Sequence, residues 1–148
     1  MSVQNHTAWP AIQYGPFQQV FFSNDSRIWE VYGVEFDRFR DSQCRYFVAI
    51  EDPWEIRVAD FSKLCAVGDT QVEGINALEQ WNIKLELGQI VRRSTVEGDP
   101  GPLWTVEGLL FRYLGRRICR KYYLRKYYPD RPLYLEHENL LQQSNLHL

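Results

Sequence analysis

The sequence predicts an α+β fold: an antiparallel sheet over about residues 27–93, packed against one long C-terminal amphipathic helix over about 103–128. Three observations predict it. Apolar and polar residues alternate through much of 28–87, the spacing of half-buried strands. Prolines, glycines, Ser94 and Thr95 then mark a loop at 94–102. Beyond that loop, apolar residues recur at three- and four-residue spacing until Pro129 and Pro132, which stop a helix.

A chain of 148 residues suits one domain, and a 45% hydrophobic content with 15% aromatic residues argues for a packed core. The chain divides into an extended uncharged arm, residues 1–24, and a single α+β domain, residues 25–148. Pro10 and Pro16 bias the residues before them toward extended geometry, so no helix is expected in the arm. Trp9, Tyr14, Phe17 and Phe21 spread large rings along it. Two roles fit such rings: completing the domain's own core, or anchoring in a neighbouring subunit.

Within the domain, Ile28, Tyr32, Val34 and Phe36 are expected on one face of a first strand, with Glu30 a polar intrusion. After the turn at Asp41-Ser42-Gln43, Cys44, Tyr46, Val48 and Ile50 repeat the alternation. Trp54, Ile56 and Val58 resume it against Glu55 and Arg57, and Trp81, Ile83, Leu85 and Leu87 give its cleanest instance. Thr70-Gln71-Val72-Glu73 has capping-box spacing and predicts a short helix to about Gln80, weakened by Gly74.

In the long helix, a rotation of about 100° per residue puts Phe111, Leu114, Ile118 and Tyr122 on one arc, flanked by Cys119. Gly108 and Gly115 fall at its edge; each weakens a helix by ~1 kcal/mol, which predicts close approach to another backbone. Arg112, Arg116 and Arg120 fall on the far side, with Arg117, Lys121 and Arg125 along a flank. Residues 133–143 are expected as a short strand or helix.

Charge is the strongest functional signal. Of 17 basic and 19 acidic residues, seven basic ones lie between Arg112 and Lys126 with no acid among them, leaving 10 basic against 19 acidic elsewhere. Such an excess points to an anionic partner, or to acids of the same molecule. Arg112, Arg116, Arg117, Arg120, Lys121, Arg125 and Lys126 are candidates to grip phosphate oxygens, and Tyr123 to stack on an unpaired base. The competing partners are the acids between Glu30 and Asp60, or an acidic groove on another protein.

No catalytic signature accompanies this charge. There is no G-x-S-x-G, Walker loop, HExxH or GxGxxG. Cys44, Cys65 and Cys119 are odd in number without a C-x-x-C pair, which reads as reduced thiols. Of the histidines, His6 and His147 lie near the ends and His137 follows a proline-bearing turn, so no pre-organised Cys–His or Ser–His pair is expected. Glu136, His137 and Glu138 are adjacent and do not converge on one metal ion.

The acids of Glu51-Asp52-Pro53-Trp54-Glu55 suit a divalent cation or acid–base work. The nine residues from Phe47 to Glu55 resemble a short Ile-Glu-Asp-Pro stretch of the non-canonical poly(A) and uridylyl polymerases. The Gly-Ser loop and catalytic aspartates of those enzymes have no counterpart here, and the stretch reads as a turn between two strands. No enzyme activity, metal or cofactor is expected.

No run approaches the roughly 20 apolar residues of a membrane span, and the N-terminal stretch lacks the basic start and apolar run of a signal peptide. The expectation is an intracellular, cytoplasmic protein, of a cell or of a virus or phage particle. Its expected function is non-enzymatic: a nucleic-acid-associated module, for RNA or DNA, gripping a phosphate backbone through a basic aromatic helix. The alternative is a structural or adaptor subunit of a larger assembly, whose arm and basic helix face protein neighbours.

Overall fold

The structure, a computed structural model, describes residues 9–40, 43–51, 54–68, 77–93, 103–126 and 134–143. Among the described residues, ten strands form one sheet in which every pairing is antiparallel. They are β1 (Gln19–Phe22), β2 (Asp25–Asp37), β3 (Arg45–Glu51), β4 (Trp54–Asp60) and β5 (Leu64–Ala66), then β6 (Ile90–Arg93), β7 (Leu103–Leu114), β8 (Arg117–Lys126), β9 (Tyr134–His137) and β10 (Leu141–Gln143). Helical geometry among the described residues is confined to short 3-10 pieces at Phe61–Lys63, Ala77–Trp81 and Glu138–Leu140.

Two long strands organise the molecule by changing partners along one edge. β2 pairs with β1 through Asp25–Glu30 and with β7 through Gly33–Asp37. β7 in turn pairs with β6 near Leu103 and with β2 from Gly108 to Arg112. The result is a six-stranded run, β4-β3-β2-β7-β8-β9, with β1-β5 and β6-β10 branching from its long strands. One face of the run closes on a core built around Trp29, Val34, Tyr46, Leu109, Phe111 and Tyr122.

The N-terminal segment belongs to that core. Ile12 and Tyr14 are buried, and Trp9 packs edge-on against Phe36 with ring centroids 6.3 Å apart. The polar ends of these rings are satisfied, as burial of Trp and Tyr requires. Trp9 Nε1 donates to the Leu85 carbonyl at 2.9 Å, the Tyr14 hydroxyl to the Leu64 carbonyl at 3.1 Å, and Trp81 Nε1 to the Tyr14 carbonyl at 2.9 Å. Residues 1–8 lie outside the described residues.

The helix expected over 103–128 is, in its described part to residue 126, instead the β7–β8 hairpin, and with it the α+β reading gives way to a sheet protein. The misreading has a physical cause. A bulge at Glu107, between Val106 and Gly108, shifts the inward positions from 104 and 106 to 109 and 111. That phase change, followed by chain reversal, mimics a three-and-four spacing across Phe111, Leu114, Ile118 and Tyr122. Leu114 is in fact 64% exposed. The reversal is a two-residue loop, Gly115-Arg116, flanked by the pair Leu114 and Arg117. Gly115 holds φ at +65°, where glycine is favoured in such loops. Gly108 does lie against a neighbouring backbone, but that of a strand: a Cβ there would sit 2.1 Å from the Phe36 carbonyl oxygen.

Three smaller corrections share that logic. A register shift between Val31 and Gly33 makes Tyr32 an extra residue, so Trp29 and Val31 face inward with Val34 and Phe36, while Ile28 is largely exposed. The alternation at Trp81, Ile83, Leu85 and Leu87 is real in burial, yet residues 82–89 form no strand. The helix expected to reach Gln80 is, in its described part, only the 3-10 piece at Ala77–Trp81; residues 70–76 lie outside the described set.

Candidate functional site

The outer face of the six-stranded run carries the site, and strand register places its residues. One row crosses five strands: Val58 on β4, Phe47 on β3, Gly33 on β2, Arg112 on β7 and Cys119 on β8. The next row holds Asp60, Arg45, Glu35, Leu110, Lys121 and His137. Gly33 makes the first row possible. A Cβ there would come within 2.8 Å of the Phe47 ring and 2.9 Å of Arg112 Cγ. Its absence lets the Arg112 guanidinium lie 5.6 Å from the Phe47 ring centroid, a cation–π distance. The bulged Tyr32 adds a second ring, 5.9 Å from Phe47.

β4 inverts the expected pattern. Trp54, Ile56 and Val58, read from sequence as a buried face, are exposed, with Trp54 at 67%. Glu55 and Arg57 turn to the other side. There the Arg57 guanidinium lies 4.9 Å from the Trp29 ring centroid and 5.1 Å from that of Phe22. Glu55 accepts from Arg57 at 2.7 Å and from Arg27 at 3.3 Å. Planar guanidinium on aromatic faces, with a carboxylate to balance charge, satisfies the inward polar side. The apolar side chains are left to solvent.

Several arginines are paired within the molecule. Arg27 meets Asp25 at 2.5 Å and holds its carboxyl down at about 2. Arg45 meets Glu35 at 2.5 Å, and the Tyr123 hydroxyl donates to the other oxygen of Glu35 at 2.5 Å. Burial, then this bond to Glu35, raises the Tyr123 phenol above its usual range. Arg38 pairs with the buried Glu107, whose carboxyl burial pushes up against the opposing pull of Arg38.

The basic stretch behaves differently. Among the described residues, Arg112, Arg116, Arg117, Arg120, Lys121 and Arg125 make no ion pair with a carboxylate. Rings take the place of acids for two more of them. Arg125 lies 3.9 Å from the Phe39 ring centroid and Arg120 lies 5.9 Å from that of Phe111. Register puts Arg112, Arg117, Lys121 and Arg125 on the outer face, Arg116 in the loop, and Arg120 on the inner side beside Phe111. Lys126 takes the register position opposite Trp104.

The candidates from sequence therefore separate. Arg112 and Arg117 share a face with Tyr32, Phe47, Val58 and Leu114, whereas Arg120 is turned away from it. Tyr123 is on the outer face, but its hydroxyl is committed to Glu35. Of the arm residues, Trp9 and Tyr14 pack in the core, Phe17 lies 4.5 Å from the Tyr113 ring, and Phe21 sits in β1 between Ile28 and Cys65. The sequence reading missed Tyr32, Phe47 and Trp54 as site residues. Only the pairing of Glu55 with Arg57 and Arg27 signals which side of β4 turns inward. The Cys119–His137 proximity was likewise not expected: Sγ and Nδ1 are 4.0 Å apart.

No group of three or more metal-ligating side chains occurs among the described residues, and no described helix is long and apolar enough to cross a membrane. Glu51 pairs with Trp54 at the β3–β4 reversal, while Asp52 and Pro53 lie outside the described residues. Comparison with protein-family models, with curated proteins and with solved structures finds no match to this chain.

Proposed function

We propose that the protein is a non-enzymatic module that binds single-stranded nucleic acid on the outer face of its sheet. The observation that supports this reading is that Arg112, Arg116 and Arg117 have no described carboxylate partner and lie near the exposed Trp54 and the half-buried rings of Tyr32 and Phe47. Arg112 and Arg117 supply charge for phosphate oxygens, with Arg116 at the hairpin tip. Tyr32, Phe47 and Trp54 supply faces on which unpaired bases stack. A flat antiparallel surface suits this task because register holds cations and rings at fixed separations, with strands about 4.8 Å apart. The acids Glu30 and Glu51 border the apolar end and set limits on where phosphate can run.

Trp54 gives a direct test, because Trp29, Trp81 and Trp104 are buried. Titration with a single-stranded oligonucleotide in low salt should quench tryptophan fluorescence, and Trp54→Phe should abolish most of that change. Fluorescence indifferent to both RNA and DNA oligonucleotides would count against the reading.

A second reading rests on a separate observation. β4 pairs only with β3 among the described residues, and it presents Trp54, Ile56 and Val58 to solvent. A bare strand edge with apolar neighbours also suits a subunit of a larger assembly. Sedimentation of the purified chain separates the two. A self-associated species dispersed by Val58→Glu, with no oligonucleotide binding, would favour the assembly role.

A further inference from the structure

We propose that Cys119 is a modification site: a nucleophilic thiol, served by His137, that exchanges with small carboxylate-bearing disulfides to form a mixed disulfide on the outer face. The proposal does not rest on nucleic-acid binding. It rests on what the β7–β8–β9 pairing brings together. Arg112 stands directly opposite Cys119 on β7, and His137 stands opposite Lys121 on β9. On the thiol's other side, His137 Nδ1 lies 4.0 Å from its sulfur, within reach of a sulfur hydrogen bond, while the Arg112 guanidinium leans over Gly33 toward Phe47. Arg117 and Lys121 flank it two residues away on the same face. The acids nearest His137 in sequence are engaged elsewhere: Glu138 accepts from the Tyr122 hydroxyl at 2.7 Å, and Glu136 is buried opposite Tyr122 and accepts from the His137 amide.

The chemistry follows from these positions. In the tautomer with its proton on Nε2, the His137 imidazole takes the Cys119 proton on Nδ1 as the sulfur attacks one sulfur of the disulfide. The reagent's S–S bond breaks, its electron pair leaves on the second sulfur, and the imidazolium returns the proton to that thiolate. Cys119 is oxidised to the mixed disulfide and half of the reagent is reduced to a thiol, so the disulfide is the only oxidant required. Arg112, Arg117 and Lys121 draw in the carboxylates of an anionic reagent and favour it over a neutral one.

The other two cysteines serve as internal controls. Cys65 is the more exposed thiol, and among the described residues its sulfur hydrogen-bonds the Ala66 carbonyl, at 3.7 Å. Cys44 is buried, and burial pushes its thiol up to about 12. Accessibility alone ranks Cys65 first; the proposal ranks Cys119 first.

The experiment treats the full chain with anionic dithiobis-nitrobenzoate and with neutral dithiodipyridine, and follows each cysteine by peptide mass. Cys119 should react about tenfold faster than Cys65 with the anionic reagent. His137→Asn should bring Cys119 down to the Cys65 rate, and Arg117→Gln with Lys121→Gln should remove most of the preference for the anionic reagent. Equal or faster reaction at Cys65, or a Cys119 rate unmoved by His137→Asn, would overturn the proposal. Cys44 reacts only if a variant has unfolded, and in that event the wild-type ratio of Cys119 to Cys65 decides alone.

Discussion

Four of the five arginines of residues 27–57, Arg40 excepted, and those of residues 112–125 are the same side chain in two different situations. Arg27, Arg38, Arg45 and Arg57 each meet a carboxylate, on Asp25 and Glu55, Glu107, Glu35 and Glu55 respectively. Arg112, Arg116, Arg117, Arg120 and Arg125 meet none among the described residues. The first group ties strands together and shields buried acids. In the second group, Arg120 and Arg125 are held against rings with Nε buried, while Arg116 and Arg117 are left in solvent, open to an outside anion. An excess of positive charge in sequence is therefore informative only once the position of the molecule's own acids is known.

Substitutions that break a paired arginine should be the most damaging to stability. Arg45→Ala strands Glu35 at a nearly buried position and should lower unfolding free energy by about 3 kcal/mol, measured by urea denaturation. Tyr123→Phe removes one donor from the same carboxylate, and a loss of about 1–2 kcal/mol is expected in that assay. Arg117→Ala should lie within about 0.5 kcal/mol of wild type, since it deletes no described partner. A loss at Arg117 matching that at Arg45 would erase the distinction between the groups.

The smallest effect is a pH dependence. Asp25 is held at about 2 in the folded chain by Arg27, below an unfolded value near 4. Its contribution is therefore present above about pH 4 and is lost as pH falls through about 2. Melting temperature followed across that window should fall less steeply for Asp25→Asn than for wild type. Parallel curves would remove Arg27 from the paired group.

How much of this was legible in the sequence depended on whether a strand keeps its phase. Cys44, just before β3, and Tyr46, Val48 and Ile50 within it alternate without interruption and do face the core. β2 and β7 each carry a bulge, and a single extra residue moves every later side chain to the other face. That is why the sequence pattern places Tyr32 inward and reads residues 103–128 as a helix. β4 failed for another reason. Its alternation is intact, but pattern alone does not say which side faces inward, and Arg57 stacked on Trp29 reverses the usual choice. The position of the basic stretch in the chain was plain; its division between two faces of a hairpin required the register.

Under the proposed function, the unpaired cations of the β7–β8 hairpin, not the paired ones, face a phosphate backbone. Anisotropy of a labelled single-stranded oligonucleotide, measured against salt concentration, tests it most directly. Arg112→Gln with Arg117→Gln should reduce the slope of log affinity against log salt by about 1.4, at about 0.7 per phosphate contact, while Arg27→Gln with Arg57→Gln leaves it unchanged. Equal slopes for both double variants, or binding that ignores salt altogether, would contradict the account.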